Sequence, residues 1–278
     1  MDSARNIDSE LKNRFKFAAG LTGVVFLAEL AGGYATNSLA LISDAMHVFM
    51  DLLALCLSFF AIYVSALAPT GKRTYGLHRV EVFASFINGV TLVIVSLFIF
   101  YAAYSRFLNP PEVGSLGMLA IAAVGLVANI VVALWLRAFA RADLNVKSAF
   151  FHVIWDAVAS AGVILAAVII YFSKLYVFDP LLSAGIAVMV LYGSSRIVLD
   201  SSHILLEGVP KDIDLTRVVN DMTGIEGVEG VHSLHIWSIC HNINALSAHL
   251  DIDVRSTGRS AEILKKVNEG LAERHHIF

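Results

Sequence analysis

The chain has 278 residues, 57% of them hydrophobic and only 15% charged, with a formal net charge of −3. Soluble domains run at about 45–50% apolar and about 25% charged, so this composition excludes an ordinary water-soluble fold and requires lipid around part of the chain. The near-neutral charge excludes a strongly basic nucleic-acid binder, and two cysteines, Cys56 and Cys240, give neither a disulfide framework nor a Cys-x-x-Cys zinc site.

The N-terminus, Met1 to Arg14, is polar and mixed in charge. It lacks the short apolar core and the small-residue cleavage site of a secretory signal, so the first apolar segment is expected to be retained. A bilayer needs about 20 helical residues to cross it. Six runs meet that length: Phe17–Ala35, Leu39–Leu67, Val80–Tyr104, Ser115–Phe139, Lys147–Phe172 and Pro180–Leu199. Thr36-Asn37-Ser38 predicts a tight turn, and Asn109-Pro110-Pro111-Glu112 cannot continue a helix. Asp179-Pro180 fits the start of the last span. Loop cations alternate: Arg5, Lys12, Arg14 and Lys16 before the first span, Lys72, Arg73 and Arg79 after the second, Arg137, Arg141 and Lys147 after the fourth, Arg196 and Lys211 around the end of the sixth. Positive loops stay in the cytoplasm, so both termini are expected there.

Beyond about Leu206 the pattern changes. Gly208-Val209-Pro210 reads as a linker, Asp214–Met222 as a short amphipathic helix, Val231–Ser238 and Ala245–Val254 as strands, and Ser260–Arg274 as a second helix. The expected organisation is an N-terminal tail (1–16), a six-helix transmembrane domain (17–206) and a small α+β domain (207–278). A further strand is expected at Phe278, which makes that domain look cut short. About 70 residues is marginal for an independent core, and packing on a second copy would help it.

Ionisable groups inside a bilayer cost roughly 2.5–3.5 kcal/mol each on insertion scales, which makes them functional candidates. The second span carries Asp44, His47 and Asp51, and the fifth carries His152 and Asp156. Each His-x-x-x-Asp pair lies on one helical face, one turn apart. Two such faces together offer two imidazoles and two carboxylates, the ligand types and number that tetrahedral zinc accepts. Two carboxylates, a divalent cation and two neutral imidazoles sum to zero charge, which favours the assembly in a membrane. Departure of the metal leaves two negative charges that protons can neutralise, and histidine titrates near pH 6.5 unperturbed. Metal–proton exchange follows as an expectation. His249 and Asp253 share the spacing, but on a strand four residues span about 13 Å and cannot chelate one ion.

Asp44, one turn before His47, reads equally as a cation guide or as a helix-stabilising acid near the surface. Glu29, Asn88 and Asn129 suit interhelical hydrogen bonds, and Gly20, Gly23, Gly32, Gly33, Gly89 and Gly125 suit close helix packing. Cys56 lies half a turn out of phase with His47 and reads as a packing residue. His78 sits in the basic second loop. In the C-terminal part, strand alternation places His232 and His235 on opposite faces, and His232, His249 and Asp251 can share an ion, a reading balanced by scattered surface histidines.

At these residues the chain resembles the cation diffusion facilitator family, in its zinc-transporter branch. The segments that carry the resemblance are Asn37-Ser-Leu-Ala-Leu-Ile-Ser-Asp-Ala-Met-His-Val-Phe-Met-Asp51, Tyr75-Gly-Leu-His-Arg-Val-Glu81, Asn145-Val-Lys-Ser-Ala-Phe-Phe-His-Val-Ile-Trp-Asp156 and Val231-His-Ser-Leu-His-Ile-Trp-Ser238. The resemblance implies a homodimer of six-helix protomers that exports zinc from the cytoplasm against protons by alternating access, with a ferredoxin-like cytoplasmic domain that dimerises and binds metal. It implies the inner membrane of a cell as the location. It matches His47, Asp51, His152 and Asp156 to the transport site, His232 and His249 to cytoplasmic metal positions, and His78 to a second-loop histidine. Imidazole ligands point to Zn2+, with Cd2+ or Co2+ as related cargo, more than to manganese. The histidine-rich loop that many relatives carry between the fourth and fifth spans has no counterpart in Ala142–Val146.

Two other readings compete. An intramembrane metalloenzyme needs an open metal position and a base, whereas four protein ligands close the site and no His-Glu-x-x-His is present. A membrane metal sensor would bind the ion without moving it. No enzyme activity is expected.

Overall fold

A computed structural model describes residues 2–137, 144–240, 243–253, 258–275 and 277. The expected span end at Phe139, the loop cation Arg141, the strand end at Val254 and the further strand at Phe278 lie outside the described residues.

Six long helices come first: α1 (Asp2–Thr36), α2 (Leu39–Ser65), α3 (Arg79–Leu108), α4 (Ser115–Arg137), α5 (Leu144–Ser173) and α6 (Phe178–Leu205). All six are long and apolar enough to cross a membrane, so the chain is a multi-pass membrane protein. The helices match the six apolar runs, with one clear difference at the start. α1 begins at Asp2 rather than Phe17, because residues 2–16 contain neither glycine nor proline to stop the helix. Large apolar side chains lie on the protomer surface, among them Phe59, Phe98, Tyr101 and Phe172. In water that surface would be untenable, and in lipid it is the solvated face.

The chain forms two compact units, residues 1–56 with 90–195, and residues 57–89 with 196–278. In the first, Leu41 of α2, Met118 and Ala122 of α4 and Val163, Ala167 and Ile170 of α5 make a shared core. Close helix approach explains four of the six glycines singled out above. A Cβ on Gly32, Gly33, Gly89 or Gly125 would meet a neighbouring atom at 2.1–2.9 Å. Gly20 and Gly23 have nothing within 4 Å, so the packing expectation does not hold for those two. Cys56 is exposed, against its expected packing role; it ends on the outer face of α2.

The second unit holds the C-terminal domain: α7 (Leu215–Thr223), β1 (Val228–Cys240), β2 (Ile243–Ile252) and α8 (Ser260–His275). Asp214 caps α7 by accepting from Thr216 N at 2.9 Å and Arg217 N at 3.4 Å. The strands pair antiparallel. Val218 and Met222 of α7 and Ile263, Val267 and Leu271 of α8 cover one face of the sheet through Ile236, Leu246 and Leu250. Ile277 makes a parallel bridge to Asn244, close to where a third strand is expected. This is a small α+β domain of the expected ferredoxin-like kind.

Candidate metal site

The α2 residues His47 and Asp51 and the α5 residues His152 and Asp156 all belong to the first unit. A helix carries the i and i+4 side chains to one face, and α2 and α5 present those faces to each other. His47 Nε2 lies 3.7 Å from Asp51 Oδ2 and 3.7 Å from Asp156 Oδ1. His152 Nε2 lies 3.2 Å from Asp51 Oδ2 and 3.8 Å from Asp156 Oδ2. Ligands 2.0–2.1 Å from a tetrahedral zinc stand about 3.3 Å from one another, so these separations are close to the edges of such a tetrahedron. His47, Asp51 and Asp156 each offer an atom within 4.8 Å of the others. His152 joins through the two carboxylates, its ring centroid 6.2 Å from that of His47.

Burial differs across the four. The side chains of His47 and Asp156 are 15% exposed and that of His152 is 48% exposed. His47 Nδ1 and Asp156 Oδ1 are buried without a hydrogen-bond partner. A buried carboxylate oxygen left unpartnered is costly, and a cation in the cluster would give Asp156 Oδ1 a partner.

Asp44 is buried, one turn along α2, and accepts from Ser160 Oγ of α5 at 3.5 Å. Ser160 also accepts from Asn129 Nδ2 of α4 at 3.4 Å. The reading of Asp44 as a surface acid therefore fails: it belongs to a buried polar strip that leads away from His47. Glu29 is buried too, and its Oε2 has no hydrogen-bond partner; the same holds for Asn88 Oδ1. Of the three residues expected to bond between helices, only Asn129 does so at the atoms described.

Sequence reasoning missed Ser160 and Asp179. Ser160 lies four residues after Asp156, on the same helical face, which is a signal that could have found it. Asp179 was seen only as a helix start. It accepts from Ser38 Oγ at 2.6 Å, Leu39 N at 2.8 Å and Ala40 N at 3.0 Å, which fastens the start of α6 to the start of α2.

In the second unit, His232 pairs with His249 across the sheet, their ring centroids 5.0 Å apart, and His232 Nε2 lies 3.6 Å from Asp251 Oδ1. The expected alternation is broken by a bulge between His232 and His235, with Ser233 at φ 52°. His232 faces His249 and His235 faces Ser247. Residues 247 and 249 share a face, so His232 and His235 share it also. His78 is set apart from these residues, in a pocket with Lys72, Arg73 and Arg79.

A partly buried cluster of imidazole and carboxylate between membrane-spanning helices has the chemistry to hold a divalent cation at that depth. The chain matches the cation efflux transmembrane domain over residues 16–206 and the cation efflux protein cytoplasmic domain over residues 210–277. It belongs to that family, the cation diffusion facilitators, whose members are transporters and not enzymes. It is 40% identical over 258 residues to the cadmium, cobalt and zinc/H(+)-K(+) antiporter of Bacillus subtilis, covering 91% of this chain and 82% of that protein. It is 36% identical over 262 residues to the metal cation efflux system protein CzcD of Cupriavidus metallidurans, covering 94% and 83%. It is also 36% identical over 229 residues to the zinc transporter ZitB of Escherichia coli, covering 81% and 73%.

Proposed function

We propose that this divalent cation efflux transporter carries Zn2+ out of the cytoplasm in exchange for protons, through a site made by His47, Asp51, His152 and Asp156. The observation that carries the assignment is the set of four imidazole–carboxylate separations of 3.2–3.8 Å between two spanning helices. Two nitrogens and two oxygens suit a borderline-soft ion such as Zn2+, Cd2+ or Co2+, and the names of the relatives above include all three metals. Neutral imidazoles and ionised carboxylates balance the ion; once it leaves, protons restore the balance at least cost. The loop cations favour both termini in the cytoplasm, and the inner membrane of a cell is the location this implies. The boundary near residue 206 separates a transmembrane domain from a cytoplasmic one, an organisation the two family matches support. The name of the second match and the small core of that domain favour a homodimer.

On the sheet, His232, His249 and Asp251 offer a secondary metal position. Its exposed side chains favour weaker binding than the site in the membrane.

Proteoliposomes with an imposed pH gradient and a zinc-sensitive dye test the assignment. Wild-type protein takes up zinc as protons leave, whereas Asp51→Ala, folded and inserted, loses transport. His47→Asp moves preference toward harder ions such as Mn2+. Wild-type vesicles that bind zinc but show no flux would return the chain to the metal-sensor reading.

A further inference from the structure

The loop between α2 and α3 forms a pocket that the metal chemistry does not use. Thr70 and Arg73 exchange backbone hydrogen bonds at 3.1 and 2.9 Å, closing a tight turn around Gly71 and Lys72. The chain then folds back through Gly76, at φ 71°, to the start of α3. This leaves a cavity of about 420 Å³, lined by Lys72, Arg73, His78 and Arg79 on the loop side, with Glu207 and Trp237 from the C-terminal part of the same unit. The volume falls within the range of small-molecule pockets, about 300–1,000 Å³.

Charge decides what such a pocket takes. Arg79 Nη2 is held by Glu207 Oε1 at 2.9 Å. Among the described residues, Lys72 and Arg73 have no carboxylate within 4.0 Å. The pocket therefore keeps two uncompensated positive charges, and His78 beside them can donate from its ring. A divalent cation at His78 would meet that repulsion at short range. An anion with several acceptor oxygens would satisfy the same groups.

Position narrows the source of the anion. The loop joins two membrane spans, so it lies where the hydrocarbon ends. Around it, Tyr63, Leu67 and Tyr75 are 68%, 49% and 66% exposed. Tyrosines at that depth sit among lipid headgroups, and basic pockets on the cytoplasmic side favour anionic ones.

We propose that this pocket binds the phosphate of an anionic phospholipid headgroup, with Lys72 and Arg73 as its charged contacts and His78 as a further ring N–H donor. Glu207 opposes the ligand and sets its affinity by holding Arg79.

Full-length protein in a neutral detergent, free of zinc, allows the test to run independently of the transport reading. Binding of dihexanoyl-phosphatidylglycerol, dihexanoyl-phosphatidylcholine and inorganic phosphate is measured by calorimetry, each lipid kept below its micelle concentration. The expected result is binding of the phosphatidylglycerol, not of the phosphatidylcholine, with inorganic phosphate as a weak competitor. Lys72→Gln/Arg73→Gln weakens it about tenfold or more, and Glu207→Gln strengthens it. Far-UV circular dichroism and an unchanged gel-filtration profile verify that each variant is folded. Binding of inorganic phosphate alone would overturn the lipid source and leave a free phosphate site. Equal binding of both lipids, or binding unchanged in the double variant, would overturn the proposal altogether.

Discussion

Glu29 and Gly125 meet in a contact that exists only because one of them has no side chain. A Cβ at residue 125 would stand 2.4 Å from Glu29 Oε1, a distance real Cβ atoms do not tolerate. The carboxyl of α1 is thereby wedged against α4, while its other oxygen, Oε2, stays unpartnered. Gly125→Ala makes that buried carboxyl tip swing aside, and because only the end of a flexible side chain has to give, the cost falls at the low end of the about 1–3 kcal/mol of overpacking. Alanine also gains up to about 1 kcal/mol of helix propensity over glycine, which sets a matched comparison. Gly20→Ala, in open space on α1, should be neutral or stabilising, whereas Gly125→Ala should melt below Gly20→Ala in detergent. Equal shifts for the two would show that Glu29 relaxes freely. The sequence marks both glycines alike. What separates them is which helix lies opposite, and no spacing within one helix carries that information. The His-x-x-x-Asp pairs were legible for the opposite reason: the α-helical period itself joins each pair.

At the scale of elements, helix ends were readable because their chemistry is local. Asn37, at φ 56°, makes the α1–α2 turn, and the prolines of the α3–α4 connection stop α3. The fastening of these ends to one another was not readable, because it joins residues far apart in sequence. The first N–H groups of α2 have no partner within their own helix. Ser38 and Asp179 supply partners: Leu39 N and Ala40 N donate to Asp179, and Leu41 N donates to Ser38 Oγ at 3.2 Å. Arg106 Nη1 stands 3.9 Å from the same carboxylate and donates to Asn37 O at 2.7 Å. Asp179 is fully buried, its charge lies at the positive end of the α2 dipole, and α2 is the helix that carries His47 and Asp51. In Asp179→Asn an amide nitrogen replaces one oxygen and faces an N–H donor. At least one charge-assisted hydrogen bond is lost, at about 1.5–3 kcal/mol. Thermal unfolding in detergent should show that loss, and hydrogen exchange should place it in the first turn of α2. Unchanged exchange there would mean that Ser38 alone holds the helix start.

Across the whole molecule, the composition announced two solvents, lipid for six helices and water for the C-terminal domain, and each part is stabilised by what its solvent permits. The order of elements in that domain was legible from alternation and amphipathic spacing. The face of His235 was not, because one left-handed residue, Ser233, inserts a bulge and resets the alternation. Around the domain, ion pairs take a share that the spans cannot use. Asp221 receives His275 Nε2 at 2.8 Å and Arg274 Nη1 at 2.9 Å. The bond from His275, with the guanidinium of Arg274, holds the Asp221 carboxyl below the ordinary 3.8. Hydrogen bonds from Arg259 and Lys266 bring Glu262 from 4.5 down to about 2. Both carboxyls bind protons more weakly folded than unfolded, so the unfolded chain takes up more protons as pH falls, and stability rises with pH in that window. Their contribution is complete well above pH 4.5, where the unfolded chain too is ionised, and drains away as pH falls toward about 2 and the folded carboxyls protonate. Both groups lie at the surface, so salt should weaken the effect. Hydrogen exchange of α7 and α8 in the full chain, followed from pH 6 to pH 3, should show progressive loss of protection below about pH 4.5. In Asp221→Asn/Glu262→Gln, protection should start lower and fall less steeply. A double variant with the wild-type slope would place the acid sensitivity of the domain in other groups.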